Sequence, residues 1–187
     1  MFDLIFGNGK FLIVGFDNTG NDKITYSSDG INWTAVSLPN KNWNSLAYGN
    51  GKYICAGSDY DYNSGVSTGY FLTSTDAINW TTQNDTRFTS NAPSEIVYGA
   101  GRFVGLGTNA PPKFVTSTDG INWAAVSPPV SGWVEKIAFG NGMFTAIDQY
   151  YNKVLNSIDG VNWNISTVTF PQYPQQLRYL NGNFINL

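Results

Sequence analysis

The chain contains no histidine, which excludes Ser-His-Asp and Cys-His catalysis and histidine-ligated metals at the outset. Phosphate-binding glycine loops are also missing. The Gly-x-Gly pairs present lie between apolar runs and open no helix. Three arginines occur, Arg87, Arg102 and Arg178, and two glutamates, Glu95 and Glu135. Glycosidase chemistry needs two facing carboxylates about 5–9.5 Å apart. Glu95 and Glu135 each stand near the start of a strand, but nothing in their spacing pairs them. In Asp59-Tyr60-Asp61-Tyr62-Asn63-Ser64-Gly65, oxygen ligands alternate as at the start of a calcium loop. The glycine falls at the seventh position rather than the sixth and no Glu follows at the twelfth. The segment therefore reads as a polar surface loop, with Asp59, Asp61 and Asn63 as its only metal candidates. Cys55 sits in the apolar run Tyr53-Ile54-Cys55-Ala56 and reads as a small buried hydrophobe. No cofactor is expected.

The acidic residues that recur with a fixed spacing are of another kind. Four heptapeptides align without gaps: Ser27 to Trp33, Ser74 to Trp80, Ser117 to Trp123 and Ser157 to Trp163. Their aspartates, Asp29, Asp76, Asp119 and Asp159, lie 47, 43 and 40 residues apart, the period of propeller blades. Repetition on this scale signals architecture. Each Asp is expected to accept main-chain N–H groups within its own turn. Trp33, Trp80, Trp123 and Trp163 are expected to plug the seams between blades. Gly30, Gly120 and Gly160 follow the first, third and fourth Asp; Ala77 follows the second, so that turn is expected to be strained or of another type.

A second element recurs out of phase: Phe6-Gly7-Asn8-Gly9-Lys10-Phe11, with counterparts starting at Tyr48, Tyr98, Phe139 and Tyr179. Asn-Gly between apolar runs calls for a type I′ hairpin, with positive φ at both central residues. Each repeat then resolves into four strands, A to D. The Gly-rich turn joins A to B and the Asp turn joins C to D. Strands apolar on both faces suit sheets packed face to face around an axis. The expected fold is all-β, a single β-propeller domain over residues 1–187. Its repeats fall at about 1–40, 41–90, 91–130 and 131–172, with a half repeat at 173–187. The half repeat leaves three readings of closure: a five-bladed ring with a half blade, a longer parent chain, or a homo-oligomeric partner completing the circle.

The heptapeptide resembles the BNR or Asp-box repeat in its short Ser-x-Asp-Gly-x-x-Trp form, and the Gly-Asn-Gly hairpins are similar to those of bacterial and phage propeller proteins. The resemblance covers nearly the whole chain. It implies the propeller fold, with the Asp boxes on the face opposite any active site. Relatives of this kind include sialidases, xyloglucan-active hydrolases, sortilin-type receptors and photosystem assembly factors, so the resemblance fixes the fold and leaves the function open. A sialidase would need an arginine triad, a Tyr/Glu pair and a further acid. Arg102 stands in a hairpin at the position of Lys10 and Lys52, where a solvated turn residue is expected. The chain is read as not an enzyme.

Charged residues make up only 12% of the chain, net charge is −3, and lysine and arginine form no cluster. This argues against a nucleic-acid partner. No run of 18 apolar residues predicts membrane insertion, and Met1-Phe2-Asp3-Leu4 shows no signal-peptide pattern. A surface of Asn, Ser, Thr and Gly is common in extracellular and virion β-proteins, which sets the expected location. The B–C and D–A loops vary in length and composition while the A–B and C–D turns are uniform. Binding surfaces are usually placed on such variable loops. They carry Tyr60, Tyr62, Phe88, Tyr150, Tyr151 and Tyr173, the candidate ligand residues, beside amide and carboxylate groups. Flat rings in that company suit a glycan, and a protein ligand is the alternative. Trp43 and Trp133, at equivalent repeat positions, are read as packing residues.

Overall fold

The computed structural model describes residues 3–16, 22–89, 93–107, 114–148, 153–169 and 177–186. The described residues form strands and turns, with no helix among them. Blade 1 comprises β1 (Asp3–Gly7), β2 (Lys10–Phe16), β3 (Asp22–Ser27) and β4 (Thr34–Ser37). Blade 2 comprises β5 (Asn42–Gly49), β6 (Lys52–Asp61), β7 (Val66–Ser74) and β8 (Thr81–Thr89). Blade 3 comprises β9 (Pro93–Gly99), β10 (Arg102–Gly107), β11 (Phe114–Ser117) and β12 (Ala124–Val126). Blade 4 comprises β13 (Val134–Gly140), β14 (Met143–Asp148), β15 (Lys153–Ser157) and β16 (Asn164–Thr169). The hairpin β17 (Leu177–Leu180) and β18 (Asn183–Asn186) follows. Each blade is an antiparallel meander in chain order. The first strands β1, β5, β9, β13 and β17 stand side by side in succession around the axis. This is the propeller expected from the repeats.

Both turn types follow from the residues that make them. At Asn8-Gly9, Asn50-Gly51, Ala100-Gly101, Asn141-Gly142 and Asn181-Gly182 both central φ angles are positive, as a type I′ turn requires. In each heptapeptide the Asp Oδ1 accepts the N–H groups two and three residues on, at 2.8 Å, and Oδ2 accepts from the Asn side chain. The preceding Ser hydroxyl donates to Oδ1 and accepts from two main-chain N–H groups. Ala77 does not change the turn type. Its φ of 65° matches the 71–75° of Gly30, Gly120 and Gly160, and it keeps the same hydrogen bonds. Its methyl is buried in a cluster with Leu12. Leu12 stands where the later repeats have Ile54 and Val104, whose branches a Cβ at Gly120 or Gly160 would meet at 2.6 Å.

The joints between blades have a common design. The aromatic ring of each first strand lies on the glycine that ends the first strand before it: Tyr48 on Gly7, Tyr98 on Gly49, Phe139 on Gly99 and Tyr179 on Gly140. A Cβ on any of these glycines would come within 2.0–2.3 Å of the ring. At the opposite end of the strand a side chain reaches across to the next main chain. Asp3 Oδ2 accepts from Leu46 N–H and Ser45 Oγ at 2.9 Å; Ser45 Oγ accepts from Ile96 N–H at 3.2 Å; Glu95 Oε2 accepts from Ile137 N–H at 2.7 Å. Lys10 and Lys52 are joint residues rather than solvated turn residues. Each ammonium donates to the carbonyl of the next blade's heptapeptide Asp, Asp76 or Asp119.

The four heptapeptide tryptophans differ from one another. Trp123 and Trp163 are buried, Trp123 stacked on Phe71 of the preceding blade with centroids 4.0 Å apart, Trp163 edge-on to Phe114. Trp80 is half-buried against the first blade. Trp33 is 39% exposed and plugs no seam, because no described strand lies against that side of blade 1. There β1 and β17 make no joint of the kind the other first strands make.

Candidate functional site

Two places combine exposed aromatic or polar groups with a built scaffold. The first is the axis. The five inner strands surround a cavity of about 880 Å³. Because the strands run in the same sense, the cavity is graded. Asp3, Ser45 and Glu95 line the end where the D–A connections arrive. Phe6, Tyr48, Tyr98, Phe139 and Tyr179 line the Gly-Asn-Gly end, and Arg178 stands between. Burial raises the Glu95 carboxyl to about 7, against the opposing influence of Lys136, the Ile137 N–H and Arg178. Its counterpart in blade 4 is Lys136, since Glu135 occupies an irregularity in the β13–β14 register and does not line the cavity. Arg102 donates to Thr116 within its own blade. The side chain of Arg87 lies outside the described residues. Neither an arginine triad nor a pair of free facing acids forms among the described residues: Asp3 is tied by both oxygens, Oδ1 to Leu4 N–H and Oδ2 to blade 2.

The second place is the tip of blade 2. The segment expected as a loop from Asp59 to Gly69 is instead a continuation of the sheet. β6 and β7 stay paired out to Asp61 and Val66, and a four-residue turn closes them. Asp61 Oδ1 accepts from Asn63 N–H and Oδ2 from Ser64 Oγ, which draws its carboxyl below the usual range. Gly65, at φ 69°, donates to the Asp61 carbonyl. Asp59 forms an ion pair with Lys41, and the same ammonium lies 4.8 Å from the Tyr70 ring centroid. The calcium candidates Asp59, Asp61 and Asn63 are thus not gathered as ligands, and the described residues hold no cluster of three metal-ligating His, Cys, Asp or Glu. Tyr60 and Tyr62 meet edge to face with centroids 5.0 Å apart, 46% and 91% exposed. β8 is also longer than expected and carries Phe88, whose side chain lies outside the described residues, as do Tyr150, Tyr151 and Tyr173. Trp43 is buried, its indole donating to the Pro39 carbonyl, whereas Trp133 is half exposed and does not share its packing role.

In the heptapeptides the main-chain N–H three residues on holds Asp29, Asp76, Asp119 and Asp159 far below the usual carboxylate range. With both oxygens engaged in the turn, these groups are fixed hydrogen-bond acceptors rather than acids or bases.

An all-β propeller is the class that this fold defines. No family model matches the chain, and no curated protein matches it. Solved structures do. A structure of YCF48 bound to D1 peptide superposes with a TM-score of 0.69 at 16% identity, over 99% of this chain and 60% of that one. Streptogramin B lyase gives 0.73 at 14% identity, over 96% and 59%. Trypanosoma rangeli sialidase gives 0.63 at 10% identity, over 87% and 37%. The chain therefore spans about 60% of the length of the first two. Likeness at this identity defines the fold and nothing finer.

Proposed function

We propose that this propeller, of the Asp-box type, is a non-catalytic recognition module that binds a glycan of an extracellular or virion surface. The observation that carries the reading is the Tyr60–Tyr62 pair. Two rings set edge to face on a paired two-stranded extension offer an apolar wall to the C–H face of a sugar, with Asn63, Ser64 and Asp61 beside them for hydroxyl groups. A paired hairpin holds the rings without the ordering cost that a loose loop would bring. The carboxylates at the axis serve the blade joints, which favours binding over turnover.

A glycan array run beside a fluorogenic glycosidase panel tests this. The expected result is binding without turnover, weakened at least about tenfold by Tyr62→Ala with the melting temperature unchanged. Turnover on any panel substrate would move the protein to the hydrolases. The polar end of the axial cavity, lined by Asp3, Ser45 and Glu95, favours a peptide as the second reading. Binding of a peptide pool that Glu95→Gln weakens and Tyr62→Ala spares would replace the glycan reading with that one.

A further inference from the structure

The rings of Tyr60 and Tyr62 stand at 84° to each other, with centroids 5.0 Å apart. That angle limits what the pair can hold. Consecutive units of an extended glycan lie end to end, so stacking on two of them needs two aromatic faces side by side in one plane. Rings at 84° present a floor and a wall instead. The hairpin explains this corner. Tyr60 lies in the ladder opposite Ser67, and cross-strand partners share a sheet face. Its hydroxyl reaches toward the turn, where it would stand 3.8 Å from a Cβ on Gly65. Tyr62 follows Asp61, the last paired residue of β6, and belongs to the turn, so its ring is not bound to the alternation of the strand. The exposures agree: 46% for Tyr60, the floor, and 91% for Tyr62, the wall. Blade 2 has blade 1 on one side and blade 3 on the other, so described strands flank the corner in both directions.

We propose that this corner holds one pyranose unit and leaves the units attached to it uncontacted. The inference deepens the glycan reading above and rests on it. A pyranose carries C–H groups on its faces and hydroxyls around its edge. One face settles on Tyr60 while C–H groups of one edge meet Tyr62. Ser67 shares the sheet face of Tyr60, and Asn63 and Ser64 follow Tyr62 in the turn, which supplies polar groups for the hydroxyls. Two rings that meet edge to face already satisfy each other's electrostatics, so the corner exists before the sugar arrives and needs little reordering. A hexose offers about 12 non-hydrogen atoms, and at the efficiency of ordinary ligands a single unit binds in the millimolar range. The ligand class is therefore a glycan recognised by the identity of one unit, rather than by a run of units along a polysaccharide.

The glycan that binds best on the array supplies the test. Its constituent monosaccharides, and chains of increasing length up to the whole glycan, are titrated against the full chain by ligand-observed NMR. One monosaccharide should bind within about threefold of every longer member that contains it. Tyr60→Ala and Tyr62→Ala should each weaken that monosaccharide itself by about tenfold or more, since both rings hold the same unit, with the melting temperature unchanged. Affinity that climbs more than about tenfold from monosaccharide to trisaccharide overturns the inference and leaves the glycan reading standing. So does a monosaccharide that Tyr60→Ala spares and Tyr62→Ala weakens, because the rings would then serve successive units. An array on which no glycan binds, or binding that Tyr62→Ala spares at every length, removes the glycan reading and this inference with it.

Discussion

Gly49 offers the sharpest test of how the blades are joined. Its φ lies outside the left-handed region, so alanine brings no main-chain strain of its own. The added Cβ would stand 2.0 Å from Cγ of Tyr98 and 2.2–2.3 Å from the adjoining ring carbons, where ordinary contacts lie at 3.4–4 Å. The ring would have to retreat by roughly 1.5 Å, against the steep repulsive side of the contact potential. Cγ lies on the χ2 axis, so turning the ring in place cannot supply the retreat; either χ1 leaves its staggered well or β9 moves. Overpacking costs about 1–3 kcal/mol, and this geometry places Gly49→Ala at the top of that range. For a chain of this size a loss of about 3 kcal/mol lowers the melting temperature by roughly 6–12 °C. Gly51→Ala is the control. It meets open space but sits at φ 72°, so it should cost only the left-handed penalty of about 1–2 kcal/mol. The decisive measurement is a double-mutant cycle by chemical denaturation. In a Tyr98→Ala background the clash is gone, and Gly49→Ala should be nearly free, giving a coupling above about 1 kcal/mol. A Gly49→Ala variant as stable as the parent, or strictly additive effects, would refute the glycine–aromatic joint.

Other outcomes follow from the same geometry. Trp123→Ala should cost about 3–5 kcal/mol, because the ring is buried in a seam, while Trp33→Ala should cost less than half as much; equal losses in denaturant titrations would contradict the open side of blade 1. Glu95 has a folded pKa of about 7 against its usual 4.5, so its contribution to stability is complete below pH 4.5 and is lost as pH rises through 7. Denaturation at pH 5 and pH 8 should show a drop on the order of 2–3 kcal/mol that Glu95→Gln largely removes; an unchanged slope in the variant would assign the effect elsewhere. Ala77→Gly relieves a left-handed alanine at about 1–2 kcal/mol but deletes a buried methyl at about 0.8 kcal/mol, so a gain of up to about 1 kcal/mol is expected, and a clear loss would show that the methyl's packing dominates.

What the sequence made legible was whatever closes within a few residues. The Asp29, Asp76, Asp119 and Asp159 turns and the Asn-Gly hairpins satisfy their own hydrogen bonds, so identity and spacing suffice to read them. The joints were not legible because their partners lie 42–51 residues apart. The first glycine of each Gly-Asn-Gly reads as a turn residue and is in fact the seat of a ring from the next blade. The bridging position is Asp, Ser or Glu, types that share only an oxygen able to reach a neighbouring N–H, so no residue pattern announces it. Trp33 repeats Trp123 in sequence but not in burial, since burial depends on the blade that comes before. At the candidate site, Tyr60 and Tyr62 were visible as aromatics in a polar segment; that the segment continues the sheet depends on pairing with Thr68 and Ser67 that alternation alone does not reveal.

The main-chain ladders stay within blades, and every cross-blade hydrogen bond described above uses a side chain. Pulled from its ends, such a chain has strong units in series with weak links. It should lengthen in a staircase, each tread releasing one blade of about 43 residues, or roughly 150 Å of extended polypeptide. A protein mounted where it bears tension would then yield by whole blades, keeping the Tyr60–Tyr62 hairpin intact until blade 2 itself gives way.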